Sequence, residues 1–373
     1  MIYLDNSSTT RPHPLVIKAV VSAMENTFGN PSSLHRLGLE AEKVVKEARQ
    51  EVASLISALP EEIVFTSGGT ESNTLAIRSV LDNTEDRHVI TSSIEHPSVL
   101  SILNDYEKKG YEITYLPVDK KGHIDINDLI DSLRKDTALV TIMAVNNEIG
   151  SIEPIEEIGL ILKDYPKTYL HVDAVQAVGK IILPLERVDL LSMSAHKING
   201  PKGVGALYVK KSRELQSIMP GGGQEQGLRG GTENVPGIAG FGVAAKVAQE
   251  KMKEIKILKD KKDQLAKYLQ ELLPDCQINS PKESIIVLSV SFPKIKAEVL
   301  LHALEAEGIY VSTGSACSSK KTKHPVLAAI GLKEDLQEGT IRFSWGWENK
   351  EVDPKVVAEK VAKNVKELQT LWG

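Results

Sequence analysis

The sequence predicts an α/β protein built on a mostly parallel sheet with helices on both faces. Two observations predict it. From about residue 62, short apolar runs rich in β-branched residues alternate with amphipathic stretches, a rhythm that places a helix between successive strands and makes them parallel. The apolar runs also end in polar residues, and in open sheets of this kind ligands bind beyond the carboxyl ends of the strands.

The elements follow in order. EIVFTS (62–67) reads as a strand feeding the helical TESNTLAIRSVL (70–81), and HVITSS (88–93) as a strand feeding HPSVLSILNDYEKK (96–109). EITYLPV (112–118), TALVTIMAVN (137–146), TYLHVDAV (168–175), VDLLSMSA (188–195) and GALYVKK (205–211) continue the strand series. After the glycine-rich PGGGQEQGLRGGTEN, one long helical pattern runs from about Pro236 to Leu273 and bridges to a second unit. That unit has a strand at IIVLSVSF, a helix at AEVLLHALEAEG, a loop at VSTGSACSSKKTKHP, a strand at TIRFSWG and a C-terminal helix.

The totals bound the function. At 373 residues, with 41% hydrophobic and 25% charged, the chain has the make-up of an ordinary globular protein with one large domain and a smaller one. A net charge of -5 argues against a nucleic-acid binder, for which the phosphate backbone rewards a basic face. No apolar run is long enough to span a bilayer and MIYLDNSSTTRP has no leader pattern, so the expected location is the cytoplasm, without a membrane partner. Cys276 and Cys317 stand in different settings, so the interest in cysteine is reactivity rather than a disulfide.

The strand ends carry the candidate chemistry. SGGTESN (67–73) places two glycines before a helix, and the free N–H groups of that helix start would receive a phosphate, with Gly69 and Thr70 beside them. The bland alternative is a tight turn with Thr70 as the N-cap. The segment lacks the Lys of a nucleotide P-loop and the spacing of a dinucleotide fold. Asp173, ending a strand in VDAVQA, suits either a loop cap or an acceptor for a protonated ring nitrogen. His96 in EHPS has the same two readings. Lys197 follows the buried strand VDLLSMSA, where a partly desolvated amine is a usable nucleophile. Ser194 and His196 add phosphate donors, and the set together describes a site for pyridoxal 5'-phosphate.

The order of YLDNSSTT, GNPSSLHRLG, FTSGGTESN, EHPSV, VNNEIG, HVDAVQAVGK, SAHKINGPKGVG, GGGQEQGLRGGTENV, STGSACSS and IRFSWG closely resembles the cysteine desulfurases of the NifS/IscS type, within the class V aminotransferases. The resemblance covers nearly the whole chain. It implies a fold type I pyridoxal-phosphate transferase with a mostly parallel seven-stranded sheet in a large domain (15–258), and a small α/β domain (1–14 and 259–373) that carries a catalytic cysteine loop at about 312–325. It implies a homodimer as well.

The same resemblance implies roles residue by residue. Lys197 bonds the cofactor, Asp173 pairs with its ring nitrogen, and His96 stacks on the ring and helps move protons. Gln176 hydrogen-bonds the phenolic oxygen, and Asn147 lies between that oxygen and the substrate carboxylate. Gly69, Thr70, Ser194 and His196 hold the phosphate, joined by Thr232 from the other subunit. Arg342 clamps the substrate carboxylate with its planar fork. Cys317 takes the sulfur of L-cysteine as a persulfide, leaving L-alanine, and passes it to an acceptor such as an iron–sulfur scaffold. From the residues alone, Lys320, Lys321 and Lys323 either favour its thiolate or form a solvated loop face. Cys276, in LPDCQINSP, reads as structural, and no metal-ligand set is singled out.

The departures from the family pattern are few. Ser7 and Ser8 stand where Ala is frequent, the KKTKH segment after Cys317 is basic, and Trp347 replaces a frequent Arg. Rival readings are another class V aminotransferase, which needs no loop thiol, a selenocysteine lyase, and a non-catalytic sulfur-assembly scaffold. The presence of Lys197, Asp173 and Cys317 together favours the enzyme.

Overall fold

The computed structural model describes residues 1–314 and 324–372. The chain opens with the short strand β1 (Ile2–Tyr3), then α1 (Pro14–Asn26) and α2 (Arg36–Leu55). β2 (Ile63–Thr66) leads into α3 (Gly69–Leu81), β3 (His88–Ser92) into α4 (Pro97–Glu107), and β4 (Glu112–Leu116) into α5 (Ile126–Ser132). β5 (Thr137–Met143), α6 (Ile155–Ile161), β6 (Tyr169–Asp173), β7 (Leu190–Ser194) and β8 (Gly205–Val209) complete the large sheet and its cover.

That sheet has seven strands in the order β2-β8-β7-β6-β5-β3-β4. It is parallel except for β8, which runs antiparallel to both β2 and β7. The stretch from Ala195 to Val204 is too short for a parallel crossover, so the chain must turn back beside β7. β5 lies third from one edge with all of Thr137–Met143 buried, as expected of a strand covered by helices on both faces. One core lies under α1, α2 and α7, the other under α3 and α4.

The long helical pattern beyond Pro236 is two helices, α7 (Val235–Lys251) and α8 (Ile255–Leu272), joined by a 3-10 turn at Met252–Glu254. The reason is a change of core. Phe241, Ala244 and Ala248 pack beneath the large sheet, whereas Leu258, Leu265 and Leu269 pack in a second core with the C-terminal strands. Helical periodicity continues through the junction, so the pattern alone does not mark it.

The second core is built on β9 (Gln277–Ile278), β10 (Val287–Ser291), α9 (Ala297–Ala306) and β11 (Ile309–Tyr310). It continues through β12 (Thr340–Ser344) and α12 (Pro354–Trp372), whereas the intervening α10 (Pro325–Ala329) and α11 (Glu334–Glu338) pack with Ile94 and Ile149 in a smaller cluster. β12, β10 and β9 form an antiparallel sheet, and β1 pairs in parallel with β11. The N-terminal strand therefore belongs with the C-terminal third. Gly150, with φ +78°, marks how tightly the two parts meet: a Cβ there would sit 2.1 Å from Ser284 Oγ. No helix among the described residues is long and apolar enough to cross a membrane.

A buried carboxyl beside β5 gives a pH signature. Glu153 is 4% exposed, its Oε2 accepts from the Ile124 N–H at 3.2 Å, and its Oε1 has no partner. Burial pushes its pKa up to about 8, against the Ile124 N–H and with a smaller push from Asp119. A carboxyl raised above its unfolded value keeps its proton in the fold, so stability falls as pH climbs from about 4 through the folded value. Thermal melts of Glu153→Gln are expected to match wild type at pH 5 and to exceed it by about 2–4 °C at pH 9. The same difference at both pH values would clear Glu153 of responsibility.

Candidate active site

The carboxyl ends of β3, β5, β6 and β7, with the turn after β2, surround a cavity of about 220 Å³. At one end lies the start of α3. Its cap residue is Gly68, with φ +156° and no side-chain cap, so Thr70 sits inside the first turn rather than capping it. A helix start left open in this way presents backbone N–H groups to an anion. Ser194 and His196 line the same cavity, and His196 Nδ1 is 3.1 Å from Thr9 Oγ1. Burial, with Lys197, Lys202 and Lys180, lowers the His196 pKa to about 4, which keeps the ring neutral. The turn approaches this closely because β8 begins with Gly205: a Cβ there would lie 2.7 Å from Gly68 Cα and 2.6 Å from Met193 O.

Asp173 ends β6 at the middle of the cavity and is 5% exposed. Its Oδ1 accepts from the Val175 N–H at 3.0 Å and its Oδ2 from Asn73 Nδ2 at 2.8 Å. It is thus a loop cap and a cavity carboxylate at once. His96 likewise does both: its Nδ1 accepts from the Ser98 N–H at 3.1 Å, capping α4, while the ring lines the cavity. Burial lowers its pKa, with Asp173 opposing and Lys197 adding to the effect.

Lys197 lies in a 3-10 turn directly after β7. Its Nζ donates to the backbone carbonyls of Ser7 and, at 2.9 Å, Ser8. Gln176 Nε2 donates to the same Ser7 carbonyl at 2.8 Å. The turn is held from the other side: Asn199, with φ +61°, donates its backbone N–H to Thr10 Oγ1 at 2.7 Å and donates through Nδ2 to Arg11 O at 2.8 Å. A second amine lies behind it. Lys180 Nζ donates to Lys197 O at 3.4 Å, and burial followed by the Lys197 charge lowers its pKa to about 7.

Arg342, in the middle of β12, is 2% exposed and reaches the cavity from the second core. Nη2 donates to Asp5 Oδ1 at 2.8 Å and to Ser8 Oγ at 2.7 Å, and Nη1 donates to Asn147 O at 2.9 Å. Its Nε is buried without a partner. In VNNEIG the two asparagines divide the work. Asn146 shapes the turn, its Oδ1 accepting from the N–H groups of Glu148 and Ile149 at 2.8 and 3.0 Å, while Asn147 lines the cavity.

The structure therefore brings Gly69, Thr70, His96, Asn147, Asp173, Gln176, Ser194, His196, Lys197 and Arg342 to one cavity. Thr232 is exposed in the segment before α7 and does not line it within one chain. Cys317 and its lysines, Lys320, Lys321 and Lys323, lie outside the described residues. Cys276 is buried in the second core, where burial pushes its thiol up to about 11, as suits a structural residue.

Sequence reasoning missed Asp5, Asn73, Ser98 and the carbonyls of Ser7 and Ser8. The first and the carbonyls sit in YLDNSSTT, Asn73 in SGGTESN and Ser98 in EHPSV, so each lay inside a motif already singled out. The donor set fits pyridoxal 5'-phosphate: an uncapped helix start with Ser194 and His196 for the phosphate, Asp173 for a ring nitrogen, and the Lys197 amine.

Comparison with known proteins agrees with this geometry. Residues 2–355 match the family model for class-V aminotransferases. The chain is similar to the cysteine desulfurase IscS of Dictyoglomus turgidum, 43% identical over 99% of this chain and 96% of that one. Among solved structures it is similar to a NifS-like protein, with a TM-score of 0.89 and 38% identity over 99% of this chain and 98% of that one. It is also similar to SspA in complex with cysteine, with a TM-score of 0.78 and 33% identity over 92% of this chain and 98% of that one. On fold and sequence alike, the chain belongs to the class-V aminotransferases and, within them, to the cysteine desulfurases of the NifS/IscS type.

Proposed function

We propose that the chain is a cytoplasmic, homodimeric, pyridoxal-phosphate-dependent desulfurase that converts L-cysteine to L-alanine and passes the sulfur through Cys317 to an acceptor protein such as an iron–sulfur scaffold. The observation that carries the reading is the meeting of Lys197, Asp173 and Arg342 in one cavity whose far end is an open helix start. The cofactor, when bound, supplies an electron sink that acidifies the substrate Cα–H.

The chain's own residues supply the rest. The α3 start, Ser194 and His196 hold the phosphate, and the Asp173 carboxylate accepts a hydrogen bond from the ring nitrogen. Lys197 would bond the cofactor, and its amine would take the α-proton onto Nζ. Arg342 binds the substrate carboxylate and sets its orientation. The Cys317 thiolate forms an S–S bond with the substrate sulfur as the substrate C–S bond breaks, which leaves alanine and a persulfide. Thr232 completes the phosphate site of the neighbouring subunit. An apolar surface supports the dimer: Leu15, Ile17, Val21 and Met24 on α1, with Phe28 and Leu34 beyond it, are all exposed in the single chain.

The test is alanine and sulfide released from L-cysteine with a reductant, for wild type beside Cys317→Ser, after both are shown to carry the cofactor on Lys197. Equal yields of the two products from wild type and neither from the variant are expected. Alanine formation that persists without Cys317, or a 2-oxo acid product, would remove the sulfur-transfer reading.

A further inference from the structure

The His96 imidazole is held by a line of hydrogen bonds that runs back to Asp173. The Ser98 N–H donates to His96 Nδ1 at 3.1 Å, and the Ser98 hydroxyl lies 2.7 Å from the same nitrogen. Asn73 Nδ2 donates to Ser98 Oγ at 2.9 Å and to Asp173 Oδ2 at 2.8 Å. The direction of each bond is fixed by the donor-only groups. A backbone N–H only donates, so Nδ1 accepts and carries no proton. An amide NH₂ only donates, so Ser98 Oγ accepts from Asn73 and turns its own hydrogen to Nδ1.

We infer that Ser98, backed by Asn73, is a positioning residue that fixes His96 in the tautomer with its proton on Nε2. Ser98 thereby makes the ring a hydrogen-bond donor toward the cavity rather than a base at that nitrogen. The cap of α4 and the chemistry of His96 are then one arrangement: Nδ1 is spent on the helix start, and Nε2 is the nitrogen left for the reaction. The charged groups acting on the ring are Asp173 at the end of β6 and Lys197 after β7, with opposite effects, and burial favours the neutral form. Protonating Nδ1 would turn the two Ser98 donors against a third, so Ser98 acts in the same sense as burial. The tautomer stands on this geometry alone, whereas its part in the reaction rests on the function proposed above.

The measurement is a long-range ¹H–¹⁵N correlation on the full chain, free of cofactor and labelled at histidine, titrated from about pH 5 to about 9. The chain has nine histidines, so the His96 signals are assigned with His96→Gln. Wild type is expected to show Nδ1 unprotonated and Nε2 protonated through neutral pH. Ser98→Ala keeps the backbone N–H and loses the hydroxyl, and its midpoint is expected to rise by about 0.5–1 pH unit, with Ser98→Thr restoring it. In the cofactor-loaded enzyme, the acidic limb of alanine formation is expected to move with it.

A protonated Nδ1 in wild type, or a midpoint unmoved in Ser98→Ala, overturns the inference. A moved midpoint with an unmoved activity limb overturns the catalytic role of the tautomer. Wild type that makes no alanine at all would count against the proposed function and leave the resonance result standing.

Discussion

Lys197→Ala is expected to lower alanine formation from L-cysteine by about 10⁴-fold or more, because one amine both bonds the cofactor and moves the α-proton. The fold is expected to survive. Ser7 O keeps its hydrogen bond from Gln176 Nε2 at 2.8 Å, and the lost Nζ bonds cost about 1.5–3 kcal/mol each. Lys180 is the nearest candidate to replace the missing amine, and its pKa of about 7 would make it reactive. It opens instead onto a separate small cavity with Lys251 and Trp347, on the far side of the Lys197 backbone, so it is not expected to substitute. Absorbance of the bound cofactor and steady-state alanine release, each with and without added methylamine, check the result. Residual activity above about 1% of wild type, with no rescue by the added amine, would show that proton transfer does not depend on Lys197.

Arg342→Lys is expected to raise KM for L-cysteine by about 10²-fold, with a smaller fall in kcat. Lysine keeps the charge, and it can still meet the partly buried Asp5, so that acid is not abandoned. What it loses is the planar fork, which here spans Asp5, Ser8 and the Asn147 carbonyl and presents the same flat group to the cavity. Losing one or two charge-assisted bonds to a carboxylate accounts for a change of that size. Initial-rate kinetics over a wide range of L-cysteine decide it. An unchanged KM together with a lowered melting temperature would make Arg342 a strut between the two cores and not the carboxylate clamp.

How much of this was legible before folding depends on what each residue writes into the sequence. The strands were plain, because β-branched runs ended by polar residues have few other meanings. The direction of β8 was not written in its own residues, GALYV, but in the shortness of the Ala195–Val204 connection. The division between α7 and α8 left no trace in the periodicity, since both helices are regular and only the core they face differs. Lys197 was singled out because an amine is costly at the end of a buried strand, Asp173 only together with its neighbours, and Arg342 only through the family resemblance. Ser7 and Ser8 hold Lys197 through backbone carbonyls, and a carbonyl has no sequence signature. Asn73 and Ser98 act on another side chain, so their value appears only when α3 and α4, which carry them, meet the end of β6.

The segment from Ile2 to Thr10 has a consequence for synthesis. It leaves the ribosome well before residues 309–344, yet its strand partner is Ile309–Tyr310, its Asn6 and Ser7 bind Ser344, and its Asp5 and Ser8 bind Arg342. At about 5–20 residues per second, roughly 20–70 s separate the two ends. Until β11 and β12 are made, the segment that carries the Ser7 and Ser8 carbonyls lacks its strand partner and its bonds to Arg342 and Ser344, and has only Gln176 and the Lys197 turn to hold it. A nascent chain stalled before residue 340 therefore has every strand of the large sheet but neither Arg342 nor Ser344, so the segment that carries the Ser7 and Ser8 carbonyls still lacks its anchors on β12.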